Sequence, residues 1–385
     1  MRFADNRNKI GKYIPAVVFL IFIYGMALWF IFSPKPDYSS SEKRYLQKFP
    51  EVTAEKLLSG DFGSEFETFF ADRFPQRNTW VGLNAYTALA EGNNGASGVY
   101  NCKNGYLINK PVSTENNLDK NIGAVADFAK SIDTPTTVML VPSTGYIVDD
   151  VLPTFHDKYN DDEDISKISS TLSKDKIGFV DLRERFKSEY KNGSQIYYKT
   201  DHHWTTKGAY TGYQELCKAL GITPIDDSTL KKDSYPDFYG TTYSSSGFWL
   251  TPPDNIEIWN NPKNSDRNIS VKITEGANIK TSGSMYFIDH LKEDDKYPVF
   301  IDGNHALTEI TNTNAKNGTI LLIKDSFSHS LAPFLAENYS KVVLVDLRYY
   351  KESVSDLVTT YNPEQVVVLY GIDNLATDTD IVWLK

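Results

Sequence analysis

From Tyr13 to Phe32 the chain runs YIPAVVFLIFIYGMALWFIF, twenty residues without a charge. As a helix that stretch rises about 30 Å, the thickness of a bilayer's hydrocarbon layer, and it predicts a membrane-spanning helix at 13–32. Arg2, Arg7, Lys9 and Lys12 precede it, opposed only by Asp5. By the positive-inside rule residues 1–12 form a basic cytoplasmic tail, and everything after Ser33 lies across the membrane. A cleavable signal peptide would carry a shorter apolar region, about 7–15 residues, and a small-x-small cleavage site. The SPKPDYSS that follows is a poor match. The expected organisation is therefore a single uncleaved anchor in the cell membrane, a Pro/Ser linker at 33–44 and an extracytoplasmic domain at 45–385.

The chain carries a formal net charge of −10, and the basic tail leaves the remainder more acidic still. That balance argues against nucleic acid, which needs a basic face, and leaves neutral polar ligands such as sugars as easier partners. Cys102 and Cys217 are too few for a disulfide framework; one bridge or two free thiols would fit. No Cys/His grouping has zinc spacing, so no metal is expected.

Residues 45–95 predict helices, with Phe62, Phe66, Phe69, Phe70 and Phe74 mostly three or four apart, a stripe expected to face a core. Five apolar runs follow: Thr137–Val141, Ile177–Leu182, Thr319–Ile323, Lys341–Leu347 and Gln365–Tyr370. Such continuous runs suit parallel strands buried on both faces. Helical spacing lies between most of them, at Leu118–Ser131, Thr206–Leu220 and Leu331–Tyr339. The alternation predicts an α/β fold, a doubly wound and mostly parallel sheet whose ligands collect at the carboxyl ends of the strands. Residues 221–318 break the pattern with Asn, Asp, Ser, Thr, Gly and Pro, and read as a β-rich insertion or cap.

Three places carry chemistry. Thr200-Asp201-His202-His203-Trp204-Thr205 stands just before a predicted helix, with Thr205 or Thr206 as its cap. In an extended approach Asp201 and His203 leave on one side and His202 on the other. A carboxylate beside an imidazole fixes its tautomer, as a general base requires, although a plain cap with packed histidines would use the same residues. Next, the strand Leu321-Leu322-Ile323 ends in Lys324-Asp325-Ser326 before helical spacing resumes. A serine there can present its hydroxyl above the sheet edge, with its own N–H facing an oxyanion; a helix cap is the alternative. Finally, Gly371 and Asn374 follow the last strand, where an amide can serve as a further donor.

The TDHHWT run, the KDSFS turn, VVLVDLRYY and FETFFADRFPQR resemble the bacterial DHHW family, related to the SGNH-hydrolase-like AlgX/AlgJ group that O-acetylates exopolysaccharides. The resemblance implies a circularly permuted SGNH-like order in which Asp-x-His precedes the serine. It assigns Asp201 and His203 to the Asp-x-His pair, Ser326 to the nucleophile, and Gly371 with Asn374 to the oxyanion block. Two positions depart from the pattern: Lys324 replaces the glycine before Asp-Ser, and Gly371 and Asn374 stand one residue further apart. Asn304, His305, Arg348, Tyr349 and Trp204 are substrate-side candidates, while His290 and His329 read as exposed or satisfied.

The implied activity is acetyl transfer through an acyl-serine to a hydroxyl of a cell-surface polysaccharide, or acetyl-ester hydrolysis if water is admitted. No cofactor is expected outside the membrane, and a membrane-bound O-acyltransferase partner would supply the acetyl group. Two other classes compete. A DHH-type metal phosphoesterase would need Asp-rich metal motifs, for which Asp161–Asp164, read as a solvated loop, is a poor substitute. A non-catalytic polysaccharide-binding scaffold would use Trp204, Trp249 and Trp259 as stacking surfaces.

Overall fold

The apolar run lies in one long helix, α1 (Arg2–Phe32), in the computed structural model, which describes residues 2–112, 117–381 and 384, with side chains from Lys12 onward. Lys12–Phe32 has a mean hydropathy of 2.4 and is exposed along its length, so it is long and apolar enough to cross a membrane. Apart from Lys12, the side chains of the expected tail at 1–12 lie outside the described residues.

The chain divides between Thr87 and Ala88 into two units. The first holds α1, α2 (Ala54–Ser59) and α3 (Asp61–Asp72), and α4 (Arg77–Ala90) begins in it. Residues 45–87, expected to open the extracytoplasmic domain, thus pack with α1. The rings responsible are Phe69 and Phe70, whose centroids lie 6.3 and 4.7 Å from Phe30. The aromatic stripe also departs from expectation: Phe69 is buried, whereas Phe66 and Phe70 are exposed.

In the second unit the five apolar runs form strands of one sheet. These are β1 (Thr136–Val141), β2 (Gly178–Asp181), β6 (Asn317–Lys324), β7 (Tyr339–Val345) and β8 (Gln365–Gly371). They lie side by side and parallel in the order β7-β6-β8-β1-β2. Residues 221–318 hold a separate two-stranded sheet, in which Lys231–Phe238 pairs with Asp254–Asn260, and also join the main one. They supply β3 (Ile269–Glu275), β4 (Asn278–Ser282) and β5 (Leu307–Asn312), which extend the same sheet antiparallel beyond β7. The sequence hid this because outer antiparallel strands need bury only one face: β3 alternates buried and open positions and β4 is mostly exposed.

Alternate residues of the parallel strands serve two cores. Ile320, Leu322, Val342, Leu344, Val367 and Leu369 face one, while Leu321, Ile323, Val343, Val345, Val366 and Val368 face the other. The first core takes Tyr213 and Leu216 of α7 (Thr206–Leu220) and Leu331 of α8 (Ser328–Leu335). The second takes Leu118 and Ile122 of α5 (Asn117–Ser131), Ile168 and Leu172 of α6 (Asp161–Lys174), and Val354 of α9 (Val354–Tyr361). Helices therefore cover both faces. In register, Ile323 pairs with Val345, Lys324 with Leu369 and Gly371 with Val141, so the carboxyl ends of four parallel strands meet at one edge.

Candidate active site

At that edge β6 ends at Lys324 and the chain turns through Asp325 and Ser326 into α8. Asp325 sets the turn: its carbonyl accepts from Ser328 N at 3.3 Å and its Oδ1 accepts from Phe327 N at 2.9 Å. The imidazole arrives from the segment before α7. There Thr205 N donates to Ile196 O at 2.8 Å, and the Thr205 hydroxyl caps α7 through Gly208 N. Asp254 fixes the residue ahead of the pair, its Oδ2 accepting from both the backbone and the hydroxyl of Thr200.

Folding joins Asp201, His203 and Ser326 in one hydrogen-bonded line. Asp201 Oδ1 lies 2.5 Å from His203 Nδ1, and His203 Nε2 lies 2.7 Å from Ser326 Oγ. All three residues are buried, with 8% of Ser326 left open. Burial pushes the Asp201 carboxyl up, but the charges of the facing His203 and His202 and the hydrogen bonds from His203 hold it well below the ordinary carboxylate range. Asp201 Oδ2 is tied in turn to Thr241, by its N–H at 2.7 Å and its hydroxyl at 3.1 Å. Gly240 packs so closely that a Cβ there would fall 2.1 Å from Asp201 Cβ.

Tyr297, which no sequence pattern marks, stacks flat on the His203 ring at 4.0 Å and 9°. Its hydroxyl donates to Ser326 O at 3.2 Å. It comes from a short turn inside 221–318, so only the fold brings it here.

The remaining candidates take other places. Gly371 N and Asn374 Nδ2, expected to face an oxyanion, each donate to Asp325 Oδ2 at 2.7 Å and hold the turn. Burial nonetheless leaves the Asp325 carboxyl above its ordinary range. Trp204 is fully enclosed and cannot offer a face to a sugar; its Nε1 donates to Phe327 O and Ser330 Oγ, tying the histidine segment to the serine's helix. Trp259 is also buried, and Trp249 is half-buried. Arg348 and Asn304 do meet, at 2.8 Å, with Arg348 also on Asp346; Tyr349 is exposed. The ring nitrogens of His305 go to Glu275 and Asp302 O, those of His290 to Glu293 and Asp302.

Lys324 explains the departure at the glycine position. Its ammonium is buried between Asp346 at 2.9 Å and His329 Nε2 at 2.8 Å. Burial, followed by the neighbouring Lys324 charge, drives His329 well below its ordinary pKa, so it is neutral and accepts from the lysine.

Asp201, His202 and His203 place one ligand atom each within 4.8 Å of one another, the geometry a metal ion could use. In this arrangement His203 holds Asp201 and Ser326, and His202 Nδ1 holds the Thr241 hydroxyl at 2.7 Å, so an ion would displace these bonds. Cys102 and Cys217 are free and buried, their thiols pushed up to about 12 by burial.

A small pocket of about 60 Å³ opens beside His202 and Phe327 and is also lined by Ser143, Thr242, Asp373 and Asn374. Asp161, expected in a solvated loop, instead opens α6 and is buried behind it, its Oδ1 accepting from Ser143 N at 2.7 Å. Burial raises its carboxyl to about 7 and that of Asp373, which accepts from Ser143 Oγ, to about 6. Unfolded, both would titrate near 4, so the native state binds more protons and stability falls as pH rises from about 4 to 7. Asp161→Asn keeps the acceptor for Ser143 and removes one titration. The fall in Tm between pH 5 and 8 is then expected to be smaller than in the parent; an equal fall would show that Asp161 does not titrate in this window.

Two solved structures share this fold, and a third is similar at a lower score. A DHHW family protein from Eubacterium siraeum is 18% identical, with a TM-score of 0.63 over 75% of this chain and 95% of its own. Bacillus cereus PatB1 is 20% identical, with a TM-score of 0.60 over 73% of this chain and 97% of its own. The O-acetyltransferase domain of Pseudomonas putida AlgJ is 15% identical, with a TM-score of 0.48 over 74% and 94%. No curated protein matches in sequence. The family model described as DHHW protein matches residues 108–345, more than half of the chain, and the chain belongs to that family.

Proposed function

We propose that this protein is a membrane-anchored, extracytoplasmic O-acetyltransferase acting on hydroxyls of a cell-surface polysaccharide through an acyl-serine. The observation that carries the reading is the Asp201–His203–Ser326 line, in which a buried, ionised carboxylate orients an imidazole on a serine hydroxyl. In the first half-reaction Ser326 Oγ attacks an acetyl carbonyl while His203 Nε2 takes its proton. Asp201 stabilises the imidazolium, which returns the proton to the leaving group as the acyl-serine forms. In the second, a sugar hydroxyl attacks the acyl carbon, giving its proton to His203, and Ser326 is released with that proton.

Among the described residues nothing accepts the Ser326 backbone N–H, which is therefore available to the oxyanion. Losing one such donor typically costs about a hundredfold or more in rate. Arg348 and Asn304 are proposed to contact the acceptor. The pocket beside His202, with its hydroxyls and the carboxyl of Asp373, suits an uncharged sugar better than an anionic one.

The finer fold assignment, a doubly wound sheet in circularly permuted SGNH-like order, is part of this proposal. So is the placement: residues 1–12 cytoplasmic, 13–32 across the membrane, 33–44 a linker and the catalytic part outside. A membrane-bound O-acyltransferase partner would deliver acetyl groups. PatB1 has been solved with a sulfonyl adduct, which is what an activated nucleophile forms with a sulfonyl reagent.

An esterase would share every step except the acceptor, so partitioning is the test. With an activated acetyl ester and a neutral oligosaccharide, product analysis is expected to show acetylated sugar rising with acceptor concentration at the expense of free acetate. Free acetate alone, at every acceptor concentration, would make the protein an esterase.

A further inference from the structure

The aromatic stripe of the first unit is the motif the acyl-transfer chemistry leaves unused. Phe49, Phe62, Phe66 and Phe69 form a continuous run of rings, with Phe49 5.4 Å from Phe69 and 6.0 Å from Phe66, and Phe62 stacked on Phe66 at 6.1 Å. Phe69 and Phe70 carry the run onto Phe30. Much of this surface is open: Phe49 is 57% exposed, Phe66 and Phe70 41% each, and Leu58 of α2 89%. Apolar rings so exposed in water need an occupant for that face.

Phe30 identifies it. It lies inside the apolar span Lys12–Phe32, two residues from its end, which is about 3 Å along a helix. Side chains that touch Phe30 therefore sit at the level where hydrocarbon gives way to headgroups. Just beyond, Lys35 Nζ donates to Phe30 O at 2.8 Å and marks the polar side of that boundary. We propose that the aromatic face of α3, with Leu57 and Leu58 of α2, lies in the headgroup–acyl boundary of the bilayer that α1 crosses. Attraction to anionic lipid is not what holds it, because α3 contains Asp61, Glu65, Glu67 and Asp72 and no Lys or Arg. Apolar burial is, as in interfacial amphipathic helices. The linker 33–44 would then not be a free tether, since the chain returns to the membrane surface before α4 begins.

This inference rests on the membrane-anchored part of the proposed function, and the test separates the two. The full chain, with single cysteines labelled by an environment-sensitive fluorophore, is placed in neutral phosphatidylcholine vesicles carrying lipid-borne quenchers. The buried Cys102 and Cys217 are spared under native conditions. Probes at Leu58→Cys, Phe66→Cys and Phe70→Cys are compared with Ser64→Cys and Thr68→Cys, on the opposite side of α3, and with Ile21→Cys in the span. Quenching at 58, 66 and 70 is expected to exceed that at 64 and 68 by about threefold or more, with little change on adding anionic lipid or salt. Because Leu58 is so exposed, its replacement keeps the test open even if a phenylalanine variant misfolds. Quenching at 21 with equal, weak signals at 58, 64, 66, 68 and 70 would overturn the interfacial placement, leaving the face to a protein partner while the anchor stands. Absence of quenching at 21 would overturn the anchor and this inference with it.

Discussion

Replacing Ser326 by alanine is expected to abolish covalent labelling by a sulfonyl fluoride and to lower acetyl transfer by at least about a thousandfold. The size follows from the geometry. His203 Nε2 has Ser326 Oγ as its partner at 2.7 Å, so removing the hydroxyl removes the group that the oriented imidazole addresses. Binding of the acceptor should survive, because no sugar contact is assigned to Oγ. Tm should change little, since the lost atom leaves a space the size of one water. Asp201→Asn should approach the same loss by another route, as an amide no longer holds the imidazole in the tautomer that accepts the serine proton. Intact mass spectrometry of the labelled protein reads the first effect directly. Stoichiometric labelling that persists in Ser326→Ala would place the reactive group elsewhere, and an unlabelled parent would favour a non-catalytic polysaccharide-binding protein.

The reach of the sequence in this chain follows the range of the interactions involved. Strands buried on both faces write themselves as apolar runs, so β1, β6, β7 and β8 were legible one by one, and the edge strand β2, of which only Val180 is buried, was legible from its apolar run alone. Strand β3 buries one face, β4 is mostly exposed and β5 buries polar residues such as Thr308, Glu309 and Asn312, so all three read as polar, and their place in the same sheet is a matter of pairing between distant segments. The site divides in the same way. Asp201 and His203 are two residues apart and Ser326 sits at a strand end, so each carried a local mark. Tyr297 stacks on His203 from within the polar insertion, and nothing in its own neighbourhood announces that. Gly371 ends β8 and Asn374 lies in the short helix just after it, but which atom their donors meet is decided by the Asp325 carboxylate, a contact made across 46 and 49 residues. For Trp204 the type was read and the burial was not, since only packing against Phe327 and Phe186 encloses it. The phenylalanine stripe of α3 failed for a different reason: helical spacing of apolar residues reports an apolar surrounding without saying whether protein or lipid provides it.

Removing the carboxylate of Asp346 is expected to have the largest effect on stability of any single change near the site. Lys324 is 1% exposed and Asp346 is fully buried, and the ammonium's other contact is the neutral His329. Burial drives the Lys324 pKa down and Asp346 pulls it part of the way back, leaving it below its ordinary value. Without that carboxylate a buried cation remains beside a second one, Arg348, which would also lose its pair. Breaking a buried pair from one side costs about 3–5 kcal/mol, and Asp346→Leu should reach that range. Lys324→Met should cost less, because Asp346 keeps Arg348 at 2.6 Å while His329 loses its donor. The double variant should fall well short of the sum of the two, since neither charge is then left alone. A pH dependence distinguishes this from simple loss of packing. In Asp346→Leu the lysine should lie further below its unfolded pKa, so the unfolded chain binds more protons and stability should rise with pH from neutral toward about 10. Denaturant unfolding of the three variants at pH 7 and pH 9 measures both effects. Additive losses with no recovery at the higher pH would mean that Lys324 and Asp346 act as independent packing groups rather than as a charge pair beneath the Ser326 turn.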